Sequence, residues 1–472
     1  MQPHAGWNRG SIDSTVGRSP RPTVEKEEAV APTSVVSREN VEAWAEDSPK
    51  LWLFRKAIEG MQKISDAAPM DERGFQWVAG VHGGFGGQAY CQHGNHNFVT
   101  WHRPYLLDFE LKLRAQIARI VDRATADEWR MPYWNWSDPK TNGIPAAFTV
   151  ETYDDGGETK PNPLFSMPYQ LPHPVFIDEG VLIDPHDATW RAPRSVDELR
   201  SFGADVEAAL LEPDFYGFST TLENPHNYVH GWTNGFMATY RSSFDPLFWC
   251  HHANIDRLFW EWQRGTGHMS TIPRQVREFP CVPFKFADIK AEAFFETRAL
   301  GYVYAEGRNL VTRAAAAVTL ESASPMAPLP LDFGTVPARF AGARINIHGV
   351  RHPERIIELR FFGNRAPSMP PVDASTPKTA AEHFLGAYML LGHGPCPGAP
   401  GHCDPDQQSG GALRPPHHLA PFDVFVDVTK NLSVLIGDQS VSLSGEMIVV
   451  DNEGDQLPTA TAQFDNASLT YR

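Results

Sequence analysis

The sequence predicts a mainly α-helical domain, with a metal site inside a central four-helix bundle, followed by an all-β, sandwich-like domain. Apolar residues recur with helical spacing from about residue 40 to 264, and every second residue from about 339. Histidines cluster in two stretches of the helical part, and bundle cores are a usual place for metal sites. The expected division is a flexible tail (1–38), a helical domain (39–335, with a connector at 271–335) and a β-rich domain (336–472).

The individual elements follow from these patterns. The clearest helical stretches are 51–64, 105–120, 196–209 and 245–262. A long Pro-, Gly- and Asp-rich loop is expected at 137–195. Strands are predicted at 343–347, 355–361, 384–391, 422–428, 432–436, 441–449 and 460–464, where Gly, Pro and Asn break an alternating pattern.

Composition limits the function. The net charge is 41 − 57 = −16, which argues against nucleic acid and anionic membrane surfaces as partners and suits small neutral substrates. No secretory signal is visible near the N-terminus, so a cytoplasmic location is expected. Five cysteines do not indicate a disulfide framework. Cys396 and Cys403 frame a Gly/Pro-rich stretch, interpreted as a turn or a disulfide rather than a copper-delivery site.

The downstream histidine group consists of His226, His230 and His252. Residues four apart lie on one helix face, so His226 and His230 can offer two imidazoles to one metal ion. His252 would come from the next helix, which is expected to begin near residue 245. Asp256, one turn later, is placed to accept a ring N–H of a ligand histidine or to hold the neighbouring backbone. His251 is interpreted as a neighbour of the ligand rather than a ligand.

The upstream group consists of His82, His93 and His102. His93 and His102 are nine residues apart, which excludes one shared helical face, so His93 is expected on a loop or at a helix entry. No pair of carboxylates accompanies the six histidines, which favours copper or zinc over magnesium, manganese or a di-iron centre. Zinc gives no reason for two facing groups, whereas two copper ions can bind dioxygen between them.

Four motifs then resemble those of the type-3 copper proteins, which comprise tyrosinases, catechol oxidases and molluscan haemocyanins. They lie between about residues 75 and 265. The resemblance is carried by FVTWHRPYL (98–106), PYWNW (132–136, with Asn135 in place of the family's Asp), ENPHNYVH (223–230) and DPLFWCHHANIDR (245–257). In combination these motifs are highly specific.

The resemblance implies how the histidines are used. His82, His93 and His102 would bind one copper ion, and His226, His230 and His252 the other. Cys91 matches the Cys-x-His arrangement in which fungal and molluscan members join the cysteine to the second histidine by a thioether. An ordinary free thiol is the alternative for Cys91.

Further residues are assigned roles by the same resemblance. Glu223 and Asn227 would hold a water that deprotonates a monophenol, although Glu223 could instead satisfy backbone N–H groups at a helix start. Thr239 falls where the family places a gate residue beside the second copper, and a neutral loop position is the alternative. Phe98 and Phe248 are expected to form aromatic walls against the ligand imidazoles.

The implied activity is that of a tyrosinase. It would use dioxygen to hydroxylate monophenols at the ortho position and to oxidise o-diphenols to o-quinones. A catechol oxidase or an o-aminophenol oxidase without hydroxylation is the alternative, followed by a haemocyanin-like oxygen carrier and a zinc hydrolase. Small phenols are the expected partners, and homo-oligomers remain open. The β-rich domain would act as a lid, with a plug among residues 388–390, or else contribute ordinary core residues.

Overall fold

A computed structural model describes residues 35–69, 71–83, 91–168, 188–239, 241–281, 289–305, 317–318, 327–366, 368–392 and 421–471. The helices of its first part are α1 (Pro49–Ala67), α2 (Phe75–Gly83), α3 (Phe98–Ile120), α4 (Arg123–Glu128), α5 (Val196–Ser201), α6 (Gly203–Leu210), α7 (Phe215–Thr233), α8 (Pro246–Gln263) and α9 (Arg274–Arg277). The predicted helical domain is confirmed, with the 196–209 stretch divided into α5 and α6.

The two helices that carry the downstream histidines begin at strong N-terminal signals. The Asp214 carboxylate accepts a hydrogen bond from the Gly217 N–H at the start of α7, and Asp245 accepts one from Leu247 N–H at the start of α8. Pro246 follows Asp245 at the first helical position, where its missing N–H costs nothing. Both helices are buried over most of their length, so these caps fix elements at the centre of the fold.

The start of the described chain differs from the prediction. Strand β1 (Val36–Arg38) lies within the segment expected to be a flexible tail, and it pairs in parallel with β4 (Tyr302–Tyr304). Strands β2 (Thr152–Asp154) and β3 (Thr159–Pro161) form a separate antiparallel pair. The Arg38 side chain is fully buried between α3 and α8. A buried ion pair therefore ties this segment to the helical core, which composition alone did not indicate.

The β-rich part is a sandwich of antiparallel sheets. One sheet has the order β10 (Phe422–Asp427), β7 (Ala343–Val350), β13 (Asn466–Tyr471), β5 (Ala317–Val318). The other has the order β12 (Gln456–Leu457), β11 (Val441–Asp451), β8 (Ile357–Gly363), β9 (Phe384–Leu390), with β6 (Leu329–Val336) also paired to β11. Alternate residues of both sheets form one apolar core. We call β6–β13 with their connections the β domain.

Three details of the predicted strands are wrong. Residues 432–436 lie in helix α10 (Thr429–Ile436), where Leu432 and Ile436 are buried one turn apart, a spacing that suits a helix as well as a short apolar run. Residues 460–464 form a 3₁₀ turn and its exit, and the strand follows at β13. Strand β6 lies in the stretch predicted as a connector, although buried and exposed residues alternate along most of it, as is typical of a strand.

Strands β7 to β11 agree with predicted ones to within a few residues, whereas the two-residue strand β12 was not predicted. Helices in the described residues include none that is both apolar enough and long enough to cross a bilayer. Cys396 and Cys403 lie outside the described residues.

Candidate metal centre

The downstream histidines converge on one point. The Nε2 atom of His226 lies 3.1 Å from Nε2 of His252 and 3.1 Å from Nε2 of His230, and the His230–His252 distance is 3.4 Å. Imidazole nitrogens bound at about 2.0–2.1 Å to one tetrahedral ion are separated by about 3.3 Å. The three nitrogens therefore have the spacing of ligands to a single metal ion.

The tautomers of these rings support the same conclusion. His230 Nδ1 lies 2.6 Å from the Met237 carbonyl oxygen, and His226 Nδ1 lies 2.9 Å from Asn227 Oδ1. Both acceptors require a proton on Nδ1, which leaves an unprotonated Nε2 on each ring. Two such lone pairs 3.1 Å apart repel each other unless a cation lies between them. The arrangement thus fits a bound metal ion better than a hydrogen-bonded pair.

The upstream histidines form a second group. The ring centroids of His82, His93 and His102 are 5.0–5.7 Å apart. His102 Nδ1 lies 2.7 Å from the Phe98 carbonyl oxygen, which leaves its Nε2 as a buried lone pair without a hydrogen-bond partner among the described residues. A metal ion is one recognised explanation for such an orphaned atom.

The loop before α3 positions His93. Gly94 has a φ of +64°, a conformation that glycine adopts without strain, and the Asn97 N–H donates to Asn95 Oδ1 in the following turn. A Cβ on Gly94 would lie 2.6 Å from atoms of the Phe422 ring, which belongs to the β domain. His93 therefore lies on a loop, as predicted.

The two groups face each other in an apolar interior. The rings of His102 and His252 are stacked with centroids 4.4 Å apart, and those of His93 and His226 lie 5.4 Å apart. All six histidines are at most 2% exposed. Burial lowers the pKa of His102 to about 3 and that of His230 to about 4, so both imidazoles are neutral and able to bind metal at physiological pH.

Aromatic rings border the histidines as predicted. The Phe248 ring lies 4.1 Å from that of His252 and 4.8 Å from that of His82. The Phe98 ring lies 4.7 Å from that of His226. These contacts pack apolar rings against the imidazoles on two sides.

His251 also lies close to the downstream group. Its ring stacks on that of His226 with centroids 5.0 Å apart, and its nitrogens fall within 4.8 Å of the ligand atoms of His226, His230 and His252. His252 Nε2 makes contacts of hydrogen-bond geometry with the Nε2 atoms of His226 and His230. Neither nitrogen of His251 has a hydrogen-bond partner among the described residues. We therefore keep His252 as the predicted third ligand.

Cys91 lies beside the upstream group. Its sulfur is within 4.8 Å of a ring nitrogen of both His82 and His93, and the side chain is buried. Burial raises the pKa of the thiol to about 12, which keeps it protonated. This proximity is compatible with the predicted thioether to His93, which remains a prediction.

Asp256 does not contact a ligand histidine. Its carboxylate accepts hydrogen bonds from Arg103 Nε, from Arg38 Nη1 (3.2 Å) and from the hydroxyls of Tyr302 and Tyr304 (2.7 Å each). The expected bond to a ring N–H is thus wrong. Arg103 follows His102 in α3 and Asp256 lies one turn after His252 in α8, so this ion pair links the helices of the two groups. Sequence reasoning missed Arg38 because it lies in the presumed tail.

Glu223 lies in the interior of α7, which excludes the helix-start alternative. Its Oε1 accepts a hydrogen bond (2.6 Å) from the backbone N–H of Gly94, which is the residue that follows His93. Burial raises the pKa of Glu223 to about 8, a shift that this hydrogen bond partly opposes. A carboxyl group of this kind, between the two histidine-bearing segments, has the pKa of a general base near neutral pH.

This raised pKa predicts a pH dependence of stability. The unfolded chain releases the Glu223 proton near pH 4.5 and the folded chain near pH 8, so the stability of the copper-free protein should fall as pH rises through this window, by up to about 5 kcal/mol. Melting temperatures between pH 5 and pH 8 should decline less steeply for Glu223→Gln than for the wild type. Parallel curves for the two proteins would contradict a raised pKa at this position.

Thr239 makes local contacts. Its hydroxyl donates to the Phe236 carbonyl oxygen (2.9 Å) and accepts from the Arg241 N–H (3.1 Å), in the turn between α7 and α8. The role of a gate residue stays a prediction.

Asn135, which replaces the family's Asp, accepts hydrogen bonds from Arg257 Nη2 (3.0 Å) and the Ser137 hydroxyl (2.9 Å), so it serves a structural purpose.

Five of the six buried histidines lie on four helices and His93 lies on the loop before α3. Two opposed groups of this kind are the arrangement expected of a type-3 copper protein, and comparisons with known proteins agree. Residues 72–265 match the model of the common central domain of tyrosinase. The chain is 28% identical to a tyrosinase of Podospora anserina over 68% of its own length and 70% of that protein.

Solved structures show the same fold. The TM-score is 0.62 against a deoxygenated haemocyanin from Rapana thomasiana (18% identity, 93% of this chain and 99% of that chain). It is 0.59 against a tyrosinase from Burkholderia thailandensis (18% identity, 91% and 99%). These likenesses, together with the opposed histidine groups, support the type-3 copper family, and within it a tyrosinase-like protein, in which a pair of copper ions would be held by the histidine groups described above.

Proposed function

We propose that the protein is a tyrosinase, which uses dioxygen to hydroxylate monophenols at the ortho position and to oxidise o-diphenols to o-quinones. The observation that carries this proposal is Glu223, a buried carboxyl group that touches the His93–Gly94 loop from the helix that carries His226. An oxygen carrier needs no base at this place, whereas hydroxylation of a phenol needs its proton removed.

The copper pair would supply dioxygen binding and the acceptance of two electrons. The chain's own residues supply the rest. Phe98 and Phe248 pack against the imidazoles, and Glu223 with Asn227 would hold the water that takes the phenol proton. Each o-diphenol loses two electrons and two protons as it becomes an o-quinone, so two o-diphenols would together reduce one dioxygen to two water molecules.

We expect Glu223→Gln to reduce hydroxylation selectively. The amide that replaces the carboxyl group cannot accept a proton, so the rate on a monophenol should fall on the order of 10²-fold. The rate on a catechol should change little, because a catechol is oxidised without a hydroxylation step. Oxygen uptake and quinone absorbance with each substrate, at equal copper content, measure both rates. If both rates fall equally, the proposed role of Glu223 is wrong.

Oxygen carriage is the second candidate, because the six histidines are at most 2% exposed and strand β9 packs against α7 beside them. The two functions differ in one measurement on the copper-loaded protein. Quinone formation with continuous oxygen uptake supports the enzyme, and reversible oxygen binding without quinone supports the carrier.

A further inference from the structure

The β domain contacts a copper-ligand helix through a chain of hydrogen bonds. Asn227 Nδ2 donates to the carbonyl oxygen of Met389 in β9 (2.7 Å), and Asn227 Oδ1 lies 2.9 Å from His226 Nδ1. The bonds therefore run from a strand of one domain, through one amide, to a histidine of the downstream group. All three residues are at most 3% exposed, so water does not compete for these bonds.

The Met389 carbonyl determines which way the amide faces. A carbonyl oxygen accepts only from the NH₂ end of Asn227, so the amide oxygen must face the imidazole. A flipped amide would place oxygen against oxygen at one end and a donor against the Nδ1–H at the other. The β9 backbone thus fixes Asn227, and Asn227 fixes the ring orientation and the tautomer that presents Nε2 to the metal.

Neighbouring contacts hold the strand at this place. The Asn224 side chain pairs with the β9 backbone, donating to the Ala387 carbonyl oxygen (3.3 Å) and accepting from the Met389 N–H (3.0 Å). A Cβ on Gly231 would lie 2.7 Å from the Met389 sulfur, so helix and strand approach closely one turn further along. The position of the Met389 carbonyl is therefore set by α7 on both sides of Asn227.

We propose that the β domain is a working part of the downstream copper site, because Met389 in β9 orients His226 through Asn227. Asn227 is then a positioning residue whose amide couples domain docking to copper retention. The inference rests on copper binding by the downstream group and does not depend on which substrate is oxidised. It is distinct from covering the site, since the coupling acts on a ligand rather than on access.

Copper release to an excess of chelator, from fully loaded full-length protein without substrate, tests the proposal. Loss of such a supporting bond typically weakens metal affinity about 10- to 100-fold, so Asn227→Ala should accelerate release from the downstream site by about that factor. Asn224 makes no hydrogen bond to a histidine, yet Asn224→Ala should accelerate copper release several-fold, because it removes the two hydrogen bonds that hold the β9 backbone against α7. The matched control is Arg344→Ala, which removes an ion pair between the β domain and Glu212 away from β9.

The comparison of Asn224→Ala with Arg344→Ala decides the outcome. Faster copper release from the Asn224 variant alone supports the coupling. Equal release rates in these two variants, or an unchanged rate in Asn227→Ala, would overturn it. Asn224→Asp, which keeps the bond from the Met389 N–H and loses the one to Ala387, is the second variant and should shift the rate in the same direction. Failure of phenol oxidation would leave these rates unaffected.

Discussion

Replacement of His252 by alanine is expected to reduce the copper content from two ions to one per chain, whereas His251→Ala should retain both. His252 Nε2 lies 3.1 Å and 3.4 Å from the Nε2 atoms of its two partners, and those partners alone leave an incomplete site. Metal analysis after gel filtration measures the copper content. Oxidation of phenols should fall to background in His252→Ala, because both ions are required for two-electron chemistry.

The adjacent histidine is the control for this experiment. His251 is as deeply buried as His252 and lies in the same helix, so its replacement by alanine removes the same side-chain atoms from an equally buried position. Loss of copper from His251→Ala with retention in His252→Ala would reverse the assignment of the third ligand. Far-ultraviolet circular dichroism of both variants establishes that the helices are intact.

Asp256→Ala should be among the most destabilising single substitutions in this chain. It leaves Arg38 and Arg103 buried without their shared carboxylate, together with the hydroxyls of Tyr302 and Tyr304. Breaking a buried ion pair from one side costs about 3–5 kcal/mol. Urea denaturation of the copper-free protein, or its melting temperature where unfolding is irreversible, measures the loss.

An exposed ion pair provides the comparison. Arg274 and Glu278 form an i,i+4 pair at the surface, and Arg274→Ala should change stability by less than about 1 kcal/mol. Arg38→Ala removes a different member of the buried network and should also be costly, because Glu110 and Asp256 lose a common partner. An Asp256→Ala protein as stable as Arg274→Ala would show that the network contributes little.

The helical domain and the grouping of the histidines could be predicted because local patterns carry them. Asp245-Pro246 starts a helix by capping, and the four-residue spacing of His226 and His230 gives one helical face. Type-3 copper motifs add the pairing of the two groups. The predicted copper ligands, Cys91 and Thr239 keep their roles as predictions until metal and activity are measured.

What escaped prediction depends on contacts between distant segments. Arg38 is assigned to the flexible tail because the neighbouring sequence does not indicate its ion pairs with the distant residues Glu110 and Asp256. The acceptors of the ring N–H groups, such as the Met237 carbonyl, are backbone atoms that any residue type supplies. Residues 432–436 read as a strand because a short apolar run fits both periods, and only packing selected the helix.

The ion pair between Arg103 and Asp256 has a consequence for how copper enters. It joins α3 to α8 without help from a metal, so the helices that carry His102 and His252 should stay together in the copper-free protein. Little of the binding free energy is then spent on ordering the ligands, in contrast to small metal domains that are unfolded without their ion. Copper should therefore bind to a largely preformed site, and the rate of uptake should be limited by the ion's passage through the protein rather than by refolding of the chain.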